Sequence, residues 1–209
     1  NFGENLLSKN TNGKAITFIS ENGFREERSW KQLNLNIASI VYFLKDIKIF
    51  KGDRIAAYMP NCIETVEAFI ATSSIGGIWS SCSPDFGTNG VIERFAQIKP
   101  KVLFITDQYF YNGKQIKIIK RLPKILKLIP SIKNIVIVNY PGKKFINYNQ
   151  KFKLRKIFKW TKCVSKKING VKFEKFDFEK ELAILYSSGT TGKPKCICHR
   201  AGGVLIQHK

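Results

Sequence analysis

The chain has 209 residues, 44% hydrophobic and 24% charged, an ordinary globular composition with room for one large domain or two small ones. Its formal charge is +21, yet 29 of the 36 basic residues are lysine and only 7 arginine, which speaks against a nucleic-acid reader, because bidentate base and phosphate contacts need arginine. The longest apolar run, 63–79, is interrupted by Glu64 and Glu67, and no charged segment with an apolar stretch follows Asn1. Neither a membrane span nor a signal peptide is therefore expected, and a cytoplasmic protein is.

In chain order, 17–20 reads as a short strand. Ser29 and Trp30 start a helix in which Leu33, Ile37, Ile40, Val41 and Leu44 recur at three- and four-residue spacing. A turn at 51–54 leads into a buried strand over 55–59 that Pro60 stops. Asn61 is the expected N-cap of a helix to about Ile75, ended by Gly76 and Gly77, and 78–82 is the next strand. Beyond a loop at 83–87, Asn89 should cap a helix to about Ile98. A strand follows at 102–105, then a lysine-rich amphipathic helix over roughly 115–129, bent at Pro123, and a strand at 135–138.

The stretch 143–180 is long and unpatterned, an insertion or a poorly ordered surface crossing. Its lysines interleave with Phe145, Tyr148, Phe152, Phe158, Trp160 and Phe173. Such interleaving can mark a nucleic-acid face, but nothing there matches a nucleic-acid motif, and a solvated lysine surface is the simpler reading. The positive field should still attract anionic substrates.

Strands alternating with helices predict an α/β fold: a mostly parallel sheet covered by helices on both faces. In such sheets ligands sit at the carboxyl ends of the strands, where both 83–87 and 186–195 fall.

Five cysteines, Cys62, Cys82, Cys163, Cys196 and Cys198, form an odd, scattered set that argues against a disulfide framework. Cys196-Ile197-Cys198-His199 has no second pair at zinc-ribbon spacing. The two thiols are expected to be small core residues on one face of a strand, and no metal site is expected.

The segment of most chemical interest follows the apolar run 182–185. Tyr186-Ser187-Ser188-Gly189-Thr190-Thr191-Gly192-Lys193-Pro194-Lys195 supplies hydroxyls, glycines and ammonium groups at the tip of a strand, which suits a loop wrapped around a polyphosphate. It is not a Walker A loop: Gly189 and Gly192 are three apart, and Pro194 stands where the magnesium-binding hydroxyl should be.

The string Ser187 to Lys195 resembles the phosphate loop of the adenylate-forming acyl-CoA synthetases. The likeness continues in Gly52-Asp53-Arg54, in Met59-Pro60-Asn61 and in Asn5-Leu6-Leu7, the last as in the acetyl- and acetoacetate-activating branch. Within that branch, 80–87, 111–114 and 184–192 resemble the acetoacetate-activating members most closely. Acetate- or propionate-activating enzymes, and ligases that pass the adenylate to a carrier protein, are the neighbouring alternatives; a basic nucleic-acid-binding module is a remote one.

The resemblance implies that 1–209 is part of a large N-terminal adenylation domain. The C-terminal domain with its catalytic lysine, the adenine- and ribose-binding segments and most of the acyl pocket would lie outside it. The implied substrates and cofactors are acetoacetate, ATP, Mg2+ and CoA, with neither nucleic acid nor membrane as a partner. It also implies that Ser187, Ser188, Gly189, Thr190, Thr191, Gly192, Lys193 and Lys195 hold the β- and γ-phosphates. Tyr111, Asn112, Gly113 and Lys114 stand where related acetyl-CoA synthetases carry an Arg-Gly-Gly-Arg loop that meets the 3′-phosphate of CoA. Only Lys114 keeps a charge there, and an Asn-Gly turn beside a solvated lysine is an equal reading of those four residues. For His199 two readings stay open, a local hydrogen-bonding role and catalysis.

Overall fold

A computed structural model describes residues 1–7, 11–148, 150, 152–187 and 192–207. A short helix α1 (Phe2–Leu6) precedes a hairpin of β1 (Lys14–Ile19) and β2 (Arg25–Ser29). Strand β2 was not foreseen, since Arg25-Glu26-Glu27-Arg28 has no apolar alternation. Cross-strand charge pairing accompanies the hairpin instead, with Lys14 Nζ 2.8 Å from Glu27. Helix α2 (Trp30–Asp46) starts at Ser29, whose hydroxyl accepts from the Gln32 N–H as the N-cap.

Then come β3 (Arg54–Tyr58), α3 (Ile63–Ser74), β4 (Ile78–Cys82), α4 (Thr88–Ile98) and β5 (Val102–Thr106). Both helix caps differ from the expected ones. Helix α3 is capped at Cys62: the Pro60 carbonyl accepts from Cys62 N at 2.9 Å and Thr65 Oγ1 at 2.6 Å, so the chain turns once more after Asn61. Helix α4 is capped at Gly87, and Asn89 instead accepts from Lys124 Nζ at 2.9 Å. Gly76, which closes α3, has φ +69°, and a Cβ there would meet the Phe176 ring at 2.8 Å.

The predicted helix over 115–129 is three pieces. Strands β6 (Tyr109–Tyr111) and β7 (Lys114–Ile116) form a hairpin, a 3-10 turn covers Ile118–Arg121, and α5 (Leu122–Leu128) follows. Pro123 lies in the first turn of α5, where a missing N–H costs nothing, and starts the helix where a bend was expected.

Strand β8 (Asn134–Val138) matches its prediction, but 143–180 is not a plain crossing. It holds β9 (Lys156–Lys159), parallel to β8, and α6 (Trp160–Cys163). The aromatics expected at a solvated surface anchor it: the Phe158 ring centre lies 5.1 Å from that of Phe43, and Trp160 6.1 Å from Phe104. Strand β10 (Glu181–Ser187), antiparallel β11 (Lys195–Arg200) and α7 (Ala201–Gln207) complete the order.

The main sheet runs β11-β10-β4-β3-β5-β8-β9, parallel throughout except for β11. Alternation along the strands divides the core in two. Ile55, Ala57, Trp79, Val102 and Phe104 meet α2 and α3 on one face. Ala56, Tyr58, Leu103 and Ile105 meet α4 and α5 on the other. The expected helices on both faces are thus present. Among the described residues no helix is long and apolar enough to cross a membrane. Cys196 and Cys198 are exposed rather than in the core, because β11 is the edge strand and, among the described residues, contributes none to either core cluster.

Candidate functional site

Six parallel strands, β10, β4, β3, β5, β8 and β9, bring their carboxyl ends to one edge of the sheet. The topology reverses at β3: its successor β4 lies on one side and β5 on the other, the place where open α/β sheets leave a ligand crevice. On the β5 side, buried Asp107 accepts from the N–H groups of Tyr140 and Ile146, each at 2.8 Å, and fixes the segments that leave β5 and β8.

The loop at 83–87, leaving β4, is held from below. The Tyr58 hydroxyl donates to the Phe86 carbonyl at 2.5 Å. Arg121 Nη1 donates to the carbonyls of Phe86 (2.9 Å) and Pro84 (3.2 Å) and to the Tyr58 hydroxyl. Burial pushes the Tyr58 phenol above its ordinary value, so it stays a donor. The loop closes one wall of a cavity of about 300 Å³ with Asn61, Thr65, Ser83, Asp85 and Tyr109 on its lining. Burial, aided by the neighbouring Asp85 carboxylate, pushes the Tyr109 hydroxyl up to about 12.

Beside this loop runs β10, the stem leading into the predicted phosphate loop. It pairs with β4 at one position, Ala183 with Trp79. Beyond it a side chain takes over. Ser80, fully buried, donates to the Ile184 carbonyl at 2.8 Å and lies 3.1 Å from the Tyr186 hydroxyl. Burial raises the Tyr186 phenol well above its usual range. The Arg94 guanidinium of α4 stands over two rings, 4.1 Å from the centre of Phe86 and 5.8 Å from that of Tyr186, and so ties loop 83–87 to this stem. The returning stem begins at Lys195, which pairs with Ser187, and the Pro194 carbonyl just before it accepts from Gln97 Nε2 at 2.9 Å.

Of the residues predicted to hold phosphates, Ser187 and Lys195 thus face each other across the two stems, and Gly192, Lys193 and Lys195 are exposed. Ser188, Gly189, Thr190 and Thr191 lie outside the described residues. Tyr111, Asn112, Gly113 and Lys114 do not open a helix; they are the tip of the β6–β7 hairpin. Asn112 (φ +49°) and Gly113 (φ +71°) adopt the left-handed pair of a two-residue turn. Tyr111 lines an adjoining groove with Phe18, Pro60, Asn61 and Tyr140. Sequence reasoning gave no role to Tyr58, Ser80, Arg94, Gln97 or Arg121; Ser80 falls in the segment 80–87, and the other four carry no local motif.

A mostly parallel sheet with a hydroxyl-, glycine- and lysine-rich string between the paired ends of β10 and β11 is an α/β arrangement whose ligands sit at the carboxyl edge. The chain belongs to the AMP-binding enzyme family, matching it over residues 8–209. All of it is 39% identical to an acetoacetyl-CoA synthetase of Xenopus tropicalis, covering 32% of that protein. It is 40% identical to an acetoacetyl-coenzyme A synthetase of Rhizobium meliloti (strain 1021), again along its whole length and over 31% of the relative. The solved acetoacetyl-CoA synthetase from Streptomyces lividans has the same fold, with TM-score 0.88 and 30% identity over all of this chain and 31% of that one. The chain thus spans about a third of the length of these relatives.

Proposed function

We propose that the protein is the nucleotide-binding part of an ATP-dependent acid–thiol ligase that converts acetoacetate to acetoacetyl-CoA. The observation that carries this reading is the pairing of Ser187 with Lys195, which brackets the hydroxyl-, glycine- and lysine-rich string at the carboxyl end of β10. The relatives named as acetoacetyl-CoA synthetases, matched along the whole chain, support the acyl substrate.

In the first half-reaction a carboxylate oxygen of acetoacetate attacks the α-phosphorus of ATP. The bond to the bridging oxygen breaks, and pyrophosphate leaves acetoacetyl-adenylate behind. Charge builds on phosphoryl oxygens throughout, so catalysis rests on placed donors and cations. Ser187, Ser188, Gly189, Thr190, Thr191 and Gly192 supply hydroxyl and backbone N–H donors to the β- and γ-phosphates, and Lys193 and Lys195 supply charge. ATP enters as its magnesium complex. The ion would supply further positive charge at the phosphoryl oxygens, and residues 187–195 contain no carboxylate that would hold it. In the second half-reaction the CoA sulfur attacks the acyl carbon, AMP leaves, and the thiol gives up its proton. Lys114, at the exposed tip of the β6–β7 hairpin, meets the 3′-phosphate of CoA with Tyr111, Asn112 and Gly113 around it.

On this reading residues 1–209 are part of an N-terminal adenylation domain, the catalytic lysine lies in a C-terminal domain outside them, and the enzyme works in the cytoplasm on small molecules without nucleic acid or membrane. Full-length enzyme should form acetoacetyl-CoA from acetoacetate, ATP and CoA, while purified 1–209 should form none. Thioester made by 1–209 alone would contradict the division of labour. Full-length enzyme active on acetate or propionate but not acetoacetate would contradict the substrate.

A further inference from the structure

Gln97 sits on α4, outside every motif, and its side-chain amide is fully engaged. Nε2 donates both hydrogens, to the Glu93 carbonyl one turn back (2.8 Å) and to the Pro194 carbonyl across the sheet edge (2.9 Å). Oε1 accepts from the Cys196 thiol at 3.6 Å. Two carbonyls against Nε2 and a donor against Oε1 fix which way the amide points. Its two distant contacts, Pro194 and Cys196, flank Lys195 on either side. The leading stem is secured separately, by Ser80 on the Ile184 carbonyl and by Arg94 over Tyr186. The returning stem joins the β10 ladder at Lys195 and is gripped by Gln97 just before it; Pro194 has no N–H to give that ladder, so its carbonyl is the group on which an external grip can act.

We infer that Gln97 is a positioning residue for nucleotide binding: by holding Pro194 and Cys196 it fixes the backbone of Lys195 and so the place of the Lys195 ammonium. The inference rests on the phosphate-loop reading above but not on the identity of the acyl substrate.

The test uses full-length protein and MgATP binding by titration calorimetry, with acetoacetate-dependent ATP–pyrophosphate exchange measured alongside. Gln97→Ala should weaken MgATP binding about fivefold, the factor that one net hydrogen bond is worth. Gln97→Glu, which keeps length and shape but cannot donate to Pro194, should weaken it as much. A role confined to packing on α4 would leave Gln97→Glu near wild type. In a Lys195→Ala background, Gln97→Ala should add nothing, because the group it places is gone. The same loss in both backgrounds, or no loss in either, overturns the inference. Wild-type protein that binds MgATP but does not exchange with acetoacetate would sink the proposed substrate, while the binding constants still decide the role of Gln97.

Discussion

Ser80 donates its hydroxyl to the Ile184 carbonyl at the point where the ladder between β4 and β10 stops. The strand that leads into residues 188–191 therefore parts from β4 at a buried side chain, which also lies against the Tyr186 hydroxyl, while β10 stays paired with β11 as far as Ser187.

Removing that hydroxyl strands two partners. Ser80→Ala should destabilise the protein by about 1–3 kcal/mol, the penalty for an unsatisfied buried group. Adding Tyr186→Phe should cost less than the two single losses together, since one orphaned hydroxyl disappears with it. Urea unfolding of the four proteins measures this; strict additivity would mean that Ser80 and Tyr186 do not share a partner.

A second prediction concerns loop 83–87. Tyr58→Phe removes one donor from Phe86 and leaves Arg121 in place, so a loss of about 1 kcal/mol is expected. Arg121→Ala removes the donor to both loop carbonyls and should cost more. Equal and negligible effects in thermal unfolding would show that the loop is held by something else.

Glu67 gives a pH dependence of definite sign. Burial pushes its carboxyl up to about 7, although Arg28 Nε lies 3.0 Å away and the Asn36 amide donates to it at 2.8 Å. The folded protein keeps this proton at pH values where the unfolded chain has lost it. Stability from this group is complete below the ordinary value of 4.5 and is lost as pH rises to about 7, on the order of 3 kcal/mol in all. Glu67→Gln has no such slope. The Tm of the variant minus that of the wild type should therefore rise between pH 5 and pH 8, whereas parallel curves would contradict the assignment.

The hairpin tip carries the CoA prediction. In full-length enzyme Lys114→Ala should raise the KM for CoA and weaken discrimination against dephospho-CoA, with ATP–pyrophosphate exchange untouched. Equal damage to both half-reactions would indicate misfolding, and no change in either would leave Asn112-Gly113 as a turn and nothing more.

Much of the sheet was legible because its strands are short apolar runs: 55–59, 78–82, 102–105 and 135–138 all fall on observed strands. The failures have physical causes. Ile116, Ile119, Leu122 and Ile125 recur every three residues, and all pack against the same core. That spacing reads as one helix, but the backbone beneath it changes from strand to 3-10 turn to helix. Strand β2 carries only polar and charged residues, and β9 is four residues with lysine at each end and only Ile157 and Phe158 apolar. The loop stems announced themselves in a single string, whereas Gln97 and Pro194 stand 97 residues apart and meet only in the folded sheet.

The central claim is that residues 187–195 hold the phosphates of ATP during acyl-adenylate formation. It is tested most directly by acetoacetate-dependent ATP–pyrophosphate exchange in full-length enzyme carrying Lys195→Ala or Thr191→Ala. Each substitution deletes a donor worth about 1.5–3 kcal/mol when charge-assisted, and exchange should fall about tenfold or more with unfolding curves unchanged. Full exchange in both variants would contradict the account.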